Sequence, residues 1–304
     1  MQRYLVAIIL NLALCLSVAN AARMRVETDA TPYFPKSICE ATIKFVGSIE
    51  VTDLDVIKRI VDATCNEVKT NSNGNIKYIL QLNSDGGDVD AALAIGRFIR
   101  NIKLPVKNVH FEVMVTGRDR CYSSCVFILA AGSDRTVWGK VGIHRPYFVQ
   151  LDSKYSAEEI RRIRLAQNKS IKEYFSEMDV ADSLLDAMLA TPAEQLKVLT
   201  LNELTQYRLV GPDANYEEKR TSEYANEWFL SSAEYRKRNA IVTAKCDALG
   251  YATEEHTKCK WKIMLNISDA EYEIRRDRIP AECNSNKSDD EATKNCVYRI
   301  RAGK

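Results

Sequence analysis

Three histidines, seven prolines and twelve glycines are few for a chain of 304 residues, and each scarcity excludes something. So little Gly and Pro rules out a collagenous or low-complexity chain. With only His110, His144 and His256 present, a catalytic imidazole has few candidates. Charge of one sign is scarce too. The 43 Lys+Arg against 41 Asp+Glu leave a net +2, without the basic excess that phosphate neutralisation demands, so nucleic acid is not an expected partner. A mean hydropathy of -0.28 excludes a multi-span membrane protein. The chain carries no G-x-G-x-x-G after a strand, no G-x-x-x-x-G-K-[ST], no H-E-x-x-H and no G-x-S-x-G. Dinucleotide, P-loop, zincin and α/β-hydrolase readings therefore lack their anchors.

What is present is a hydrophobic content of 46%, enough for one sizeable core or two smaller ones. Residues 1–21 read as a secretory signal peptide. Arg3 supplies the positive start, Leu5 to Val18 is a nearly unbroken apolar run, and Ala19-Asn20-Ala21 is a small-x-small cleavage site. The run is shorter than the ~20 residues needed to span a bilayer. Leu14 before Cys15 does not fit a lipoprotein signal. Nine Cys less Cys15 leaves eight, an even number suited to an oxidising compartment. The expected location is exported, periplasmic if the source is bacterial. Cys246 with Cys259 and Cys283 with Cys296 are equally spaced candidate pairs, and Cys39, Cys65, Cys121 and Cys125 lie earlier. A metal site could be assembled from His256, Cys246 and Cys259, but in an exported chain two such cysteines more often form a disulfide, so no metal is expected.

Residues 22–40 look irregular. From residue 41 to 212 strand and helix patterns alternate: Ala41–Val51, Ile76–Leu82, Val106–Val115 and Thr136–Ile143 as strands, with Leu54–Val68, Val89–Ile102, Ser123–Ala131 and Ala157–Met178 as helices. This predicts an α/β domain with a largely parallel sheet. Residues 213–304 are richer in Lys, Arg and Glu and read as a small appended region bearing disulfides.

Three segments carry chemistry. Asn83-Ser84-Asp85-Gly86-Gly87 runs from a strand into a helix, and its glycines let backbone N–H groups approach a ligand, as an oxyanion hole requires. Cys121-Tyr122-Ser123-Ser124-Cys125 puts two serines at the front of an apolar helix, beside its positive dipole end. Ser is also the favoured helix cap. Gly142-Ile143-His144-Arg145-Pro146 puts an imidazole at a strand end. The i, i+4 spacing of Cys121 and Cys125 suits a bridge if Cys121 precedes the helix, since a bridge inside a regular helix is strained.

This order, N-S-x-G-G before a helix, a Ser entering an apolar helix that closes in Ala131-Gly132, then His-x-Pro, resembles the ClpP/crotonase superfamily, most closely its exported ClpP-like serine peptidases. It covers roughly Thr42 to Gly211. The resemblance implies a spiral of ββα units and an acyl-enzyme mechanism on a peptide or protein substrate. Counting back from Ala131-Gly132 places Ser123 at the nucleophile position, with Ser124 the alternative. His144 matches the base through His-x-Pro; Lys140 is a stand-in for relatives that use lysine. Gly86 or Gly87 with the Ser124 N–H would form the oxyanion hole. Two departures stand out. Asp85 sits where the family pattern has Pro, and aligning Tyr207-Arg208-Leu209-Val210 with Y-G-L-V puts Leu196 where the triad acid belongs, leaving Glu194 as the nearest carboxylate. The resemblance implies no cofactor and a possible homo-oligomer; an ATPase partner is not expected outside the cytoplasm. The alternative is a catalytically degenerate binding or scaffold protein on the same fold.

Overall fold

The computed structural model describes residues 23–26, 38–70, 74–106, 108–146, 155–250, 253–283 and 291–303. The signal-peptide reading of residues 1–21 lies outside them. The chain divides after Asp213 into two compact units.

The strands of the first unit are β1 (Arg23–Val26), β2 (Ile38–Val46), β3 (Asn75–Asn83), β4 (Asn108–Val115), β5 (Arg120–Tyr122), β6 (Asp134–Val137), β7 (Lys140–Ile143), β8 (Lys197–Val198) and β9 (Gly211–Pro212). Its helices are α1 (Asp53–Ala63), α2 (Asn66–Lys69), α3 (Val89–Arg100), α4 (Cys125–Ala130), α5 (Ala157–Glu177), α6 (Ser183–Ala190) and α7 (Leu201–Gln206). One sheet has the order β1-β2-β3-β4-β6-β9, parallel from β2 to β6 with an antiparallel strand at each edge. A second, smaller sheet has the order β5-β7-β8. Short bridges, Ile49 to Gly87 and Ser84 to Cys121, continue that second layer backwards along the chain. The unit is thus built from repeated turns of long strand, short strand and helix, an α/β fold with a largely parallel sheet.

The long strands alternate as a one-sided sheet demands: Ala41, Ile43 and Phe45 of β2, Tyr78, Leu80 and Leu82 of β3, and Phe111, Val113 and Val115 of β4 are all buried. Helix α3 is capped by Asp88, whose carboxylate accepts from Ala91 N–H at 2.7 Å, and buries Ala92, Ile95, Gly96 and Ile99. Gly96 is bare because a Cβ there would stand 1.7 Å from the Tyr174 hydroxyl. That hydroxyl donates to the Phe127 carbonyl at 2.6 Å, tying α5 to α4, and burial pushes its pKa above the ordinary tyrosine value. At the end of the unit Asp213 accepts from Arg135 Nη2 at 2.9 Å and from Arg100 Nη2 at 2.5 Å, and Arg135 also donates to the Met178 carbonyl at 2.5 Å.

Several sequence-based boundaries are corrected. Arg23–Val26, within the stretch read as irregular, forms β1 against β2, and β2 itself begins at Ile38, inside that same stretch. The helix expected over Leu54–Val68 stops at Ala63 because Cys65, disulfide-bonded to Cys39, takes a left-handed φ of 59°. The strand expected over Thr136–Ile143 breaks at Trp138-Gly139, where both N–H groups turn to the Val115 carbonyl. A Cβ at Gly139 would meet the Thr116 carbonyl at 2.3 Å, so only glycine fits. The helix expected from Ser123 starts at Cys125, two residues later.

The second unit holds α8 (Ala214–Glu227), α9 (Ser232–Lys245), α10 (Glu254–Leu265), α11 (Asp269–Glu282) and α12 (Glu291–Arg301). Its core is Trp228, Val242, Cys246, Trp261, Met264 and Tyr272. Disulfides join Cys246 to Cys259 and Cys283 to Cys296. The Arg301 guanidinium lies over both Trp228 and Trp261, with its carbon 5.6 and 4.9 Å from the ring centres. No helix among the described residues is long and apolar enough to cross a membrane.

Candidate active site

Ser123 sits at an elbow. Strand β5 ends at Tyr122, helix α4 begins at Cys125, and Ser123 joins them with a φ of 54°. A left-handed conformation costs a non-glycine residue about 1–2 kcal/mol, so the surroundings must hold it. They do so by hydrogen bonds on both sides: Tyr122 N–H donates to the Ser84 carbonyl at 2.9 Å, Ser123 N–H to the Gly142 carbonyl at 2.9 Å, and Val126 N–H to the Ser123 carbonyl at 3.1 Å. A strand-to-helix elbow of this sort holds a hydroxyl clear of the backbone. Ser123 is half-buried, and among the described residues its hydroxyl makes no hydrogen bond.

Ser124 is placed differently. It is buried, and its hydroxyl donates to the Gly87 carbonyl at 3.0 Å, so that oxygen is already committed. The Ser84-Asp85-Gly86-Gly87 turn packs directly on the elbow. A Cβ on Gly86 would come within 2.7 Å of Ser123 Cβ and 2.9 Å of the Tyr122 carbonyl, and Gly86 has a φ of 101°. The Gly86 N–H donates to Ser84 Oγ at 3.1 Å and is spoken for. Gly87 lies in a parallel bridge to Ile49 whose two hydrogen bonds run from Ile49 N–H to the Gly86 carbonyl and from Asp88 N–H to the Ile49 carbonyl. Neither bond uses the Gly87 N–H. Among the described residues the N–H groups of Gly87 and Ser124 have no acceptor.

His144 follows directly on β7, the strand whose Gly142 receives the Ser123 N–H. Its Nδ1 lies 2.9 Å from the Arg145 carbonyl. A carbonyl only accepts, so this contact requires the proton on Nδ1 and, in the neutral ring, leaves the lone pair on Nε2. Arg145 is itself anchored, its N–H donating to the Thr191 carbonyl at 2.9 Å. Glu194 is exposed and makes no hydrogen bond or ion pair with any described residue, His144 included. Leu196 lies close by instead, its Cδ1 2.9 Å from where a Cβ on Gly142 would be. Lys140 occupies the opposite end of β7 from His144, in register with Arg120; three residues of extended chain separate it from His144, ~13 Å at strand rise.

Asp85 belongs to this turn, and its charge is paired. Its carboxylate forms a two-pronged ion pair with Arg120, with Oδ2 2.8 Å from Nη2 and Oδ1 bonded to Nε. The hydrogen bonds from Arg120 hold the Asp85 carboxyl below the usual carboxylate range. Cys121 and Cys125 are disulfide-bonded across the elbow, with Cys121 in the strand and so ahead of the helix. The partner of Asp85, 35 residues away in sequence, and the backbone carbonyl beside His144 were not foreseen from the sequence; only an Arg in the following short strand hinted at the former.

No family model matches the chain, and no curated protein matches it. Among solved structures, a ClpP1 mutant from Listeria monocytogenes is similar, with 24% identity and a TM-score of 0.39 over 56% of this chain and 88% of that one.

Proposed function

We infer that the chain is an exported serine-type hydrolase that cleaves peptide bonds through an acyl-enzyme. The observation that carries this reading is the Ser123 elbow: a strained, half-exposed serine, packed on Gly86, with the N–H groups of the adjoining Ser124 and of Gly87 in the same turn lacking an acceptor among the described residues. Ser123 Oγ attacks the substrate carbonyl while His144 Nε2 takes its proton. The developing oxyanion is received by the N–H groups of Gly87 and Ser124, each such donor being worth about 10²–10³ in rate. The imidazolium returns the proton to the leaving amine, and water attacks the acyl-enzyme by the same route. Ser84 takes the Gly86 N–H, so Gly87 is the glycine of the hole. The Arg145 carbonyl selects the tautomer that the base needs.

The reading includes a peptide or protein substrate, a homo-oligomer, and no cofactor, nucleic acid or ATPase partner. Eight cysteines paired into four disulfides support an oxidising compartment. The second reading, a non-catalytic binding or scaffold protein, is favoured by one observation: the Ser123 hydroxyl is not hydrogen-bonded to His144. Contacts of this kind often tighten only when substrate docks.

Fluorophosphonate labelling of the oxidised protein separates the two. Labelling that is lost in Ser123→Ala and His144→Ala and kept in Ser124→Ala supports the hydrolase. An inert, folded wild type favours the scaffold.

A further inference from the structure

We propose that Cys121 and Cys125 are positioning residues: their disulfide braces the Ser123 elbow, holding hydroxyl and oxyanion N–H in register, and contributes less to overall stability than the three longer bridges. The inference rests on the hydrolase reading above.

The bridge spans the elbow and almost nothing else. Cys121 is the middle residue of β5 and Cys125 the first of α4, and only Tyr122, Ser123 and Ser124 lie between them. The other three disulfides join residues 26, 13 and 13 apart, against 4 here. A cross-link removes chain entropy in proportion to the logarithm of the loop it closes, so this bridge restrains the unfolded chain least of the four. Its effect is therefore sought in the folded elbow.

There it meets a need. Helix α4 has six residues, too few to hold its own first turn rigid without outside support. Ser123 is held in a left-handed backbone that it would leave if released. Rotation of that one residue into an ordinary conformation would redirect its own side chain and swing the following peptide, which carries the Ser124 N–H. Nucleophile and oxyanion donor would be lost together. The covalent link between the residues two before and two after Ser123 opposes that rotation. Both cysteines are fully buried, and thiol–disulfide exchange needs a thiolate to reach a sulfur. The bridge is thus a permanent brace and not an exchangeable one.

The test compares Cys121→Ala/Cys125→Ala with Cys39→Ala/Cys65→Ala, both confirmed folded by far-UV circular dichroism at the assay temperature. Fluorophosphonate labelling is followed against probe concentration, which separates reversible probe binding from the covalent step. The expected result for the elbow variant is a covalent rate constant lower by about 10- to 100-fold, the usual cost of misplacing a reacting group by up to 1 Å. Probe binding and the pH midpoint of labelling should not move. The Cys39/Cys65 control should label as wild type. An elbow variant that is folded and labels at the wild-type rate overturns the inference and leaves the hydrolase reading standing. A wild type that does not label overturns the hydrolase reading and this inference with it. If the alanine pair does not fold, Cys121→Val/Cys125→Ala, which refills part of the buried volume, takes its place. If that pair also fails to fold at the assay temperature, the bridge is a stability element and the inference is refuted.

Discussion

Gly86→Ala should silence the site while leaving the fold in place. The new methyl would lie 2.7 Å from Ser123 Cβ, 2.9 Å from the Tyr122 carbonyl oxygen and 3.2 Å from the Ser124 nitrogen. Comfortable carbon–carbon separation is about 3.5–4.0 Å, so the turn and the elbow must part by roughly 1 Å. Misplacement on that scale costs about 10²-fold in rate. The φ of 101° adds a backbone penalty, and crowding of this kind typically brings the total to about 1–3 kcal/mol of stability. Gly211→Ala supplies the comparison. It has a φ of 87° but no atom within 4 Å of the added methyl, so it carries the backbone cost alone. Urea denaturation and fluorophosphonate labelling of both variants divide the effect: both lose stability, and only Gly86→Ala loses labelling. Wild-type labelling by a folded Gly86→Ala protein would refute the claim that this turn braces the nucleophile.

Three further outcomes are expected. Glu203 accepts from the Thr200 N–H and Oγ and pairs with Lys197 at 2.6 Å, and the Lys197 contact, then the Thr200 bonds, lower its pKa to about 2. A depressed folded-state value means the stabilisation is present at neutral pH and fades as pH falls from about 4.5 toward 2. Glu203→Gln should therefore cost about 0.5–1 kcal/mol in urea melts at pH 7 and nothing measurable near pH 2; an equal cost at both would show that charge is not involved. Asp213→Ala leaves the Arg100 and Arg135 guanidinium groups buried without their shared carboxylate. It should lower stability by about 3–5 kcal/mol, and a midpoint within error of wild type would contradict that accounting. Removing the Cys39–Cys65 bridge should cost about 3.5 kcal/mol against about 2 for Cys121–Cys125, from the loop lengths alone; denaturant midpoints in the reverse order would refute the entropic ranking.

Much of the first unit is legible in the sequence because its strands and helices obey a single rule each. The strand over Ile76–Leu82 and the helix over Val89–Ile102 are local patterns with local causes, and the structure has them as Asn75–Asn83 and Val89–Arg100. What escaped depends on distant partners. Cys65 ends a helix because Cys39 pins it, and β6 parts from β7 because Val115 offers one carbonyl to two amides. At the site the serine segment, the glycine turn and His144 were visible as residue types. Which serine is accessible was visible only through register, since what separates the two is burial of Ser124 against Gly87. The carbonyl contact of His144 had no sequence signal at all, because every residue has a backbone carbonyl.

The amide rung from Ser123 to Gly142, which ends the β5–β7 ladder, has a mechanical consequence. His144 is two residues beyond that rung on the same strand. In the proposed site the spacing between Ser123 and His144 is therefore set by this last rung of the β5–β7 ladder and a two-residue lever. The elbow that carries Ser123 and the strand that precedes His144 are paired in the small β5-β7-β8 sheet, apart from the strands of the large one. Tuning of the gap should come from loosening this rung or shifting Arg145, and mutations in the far strands should alter how long the protein lasts before they alter how fast it reacts.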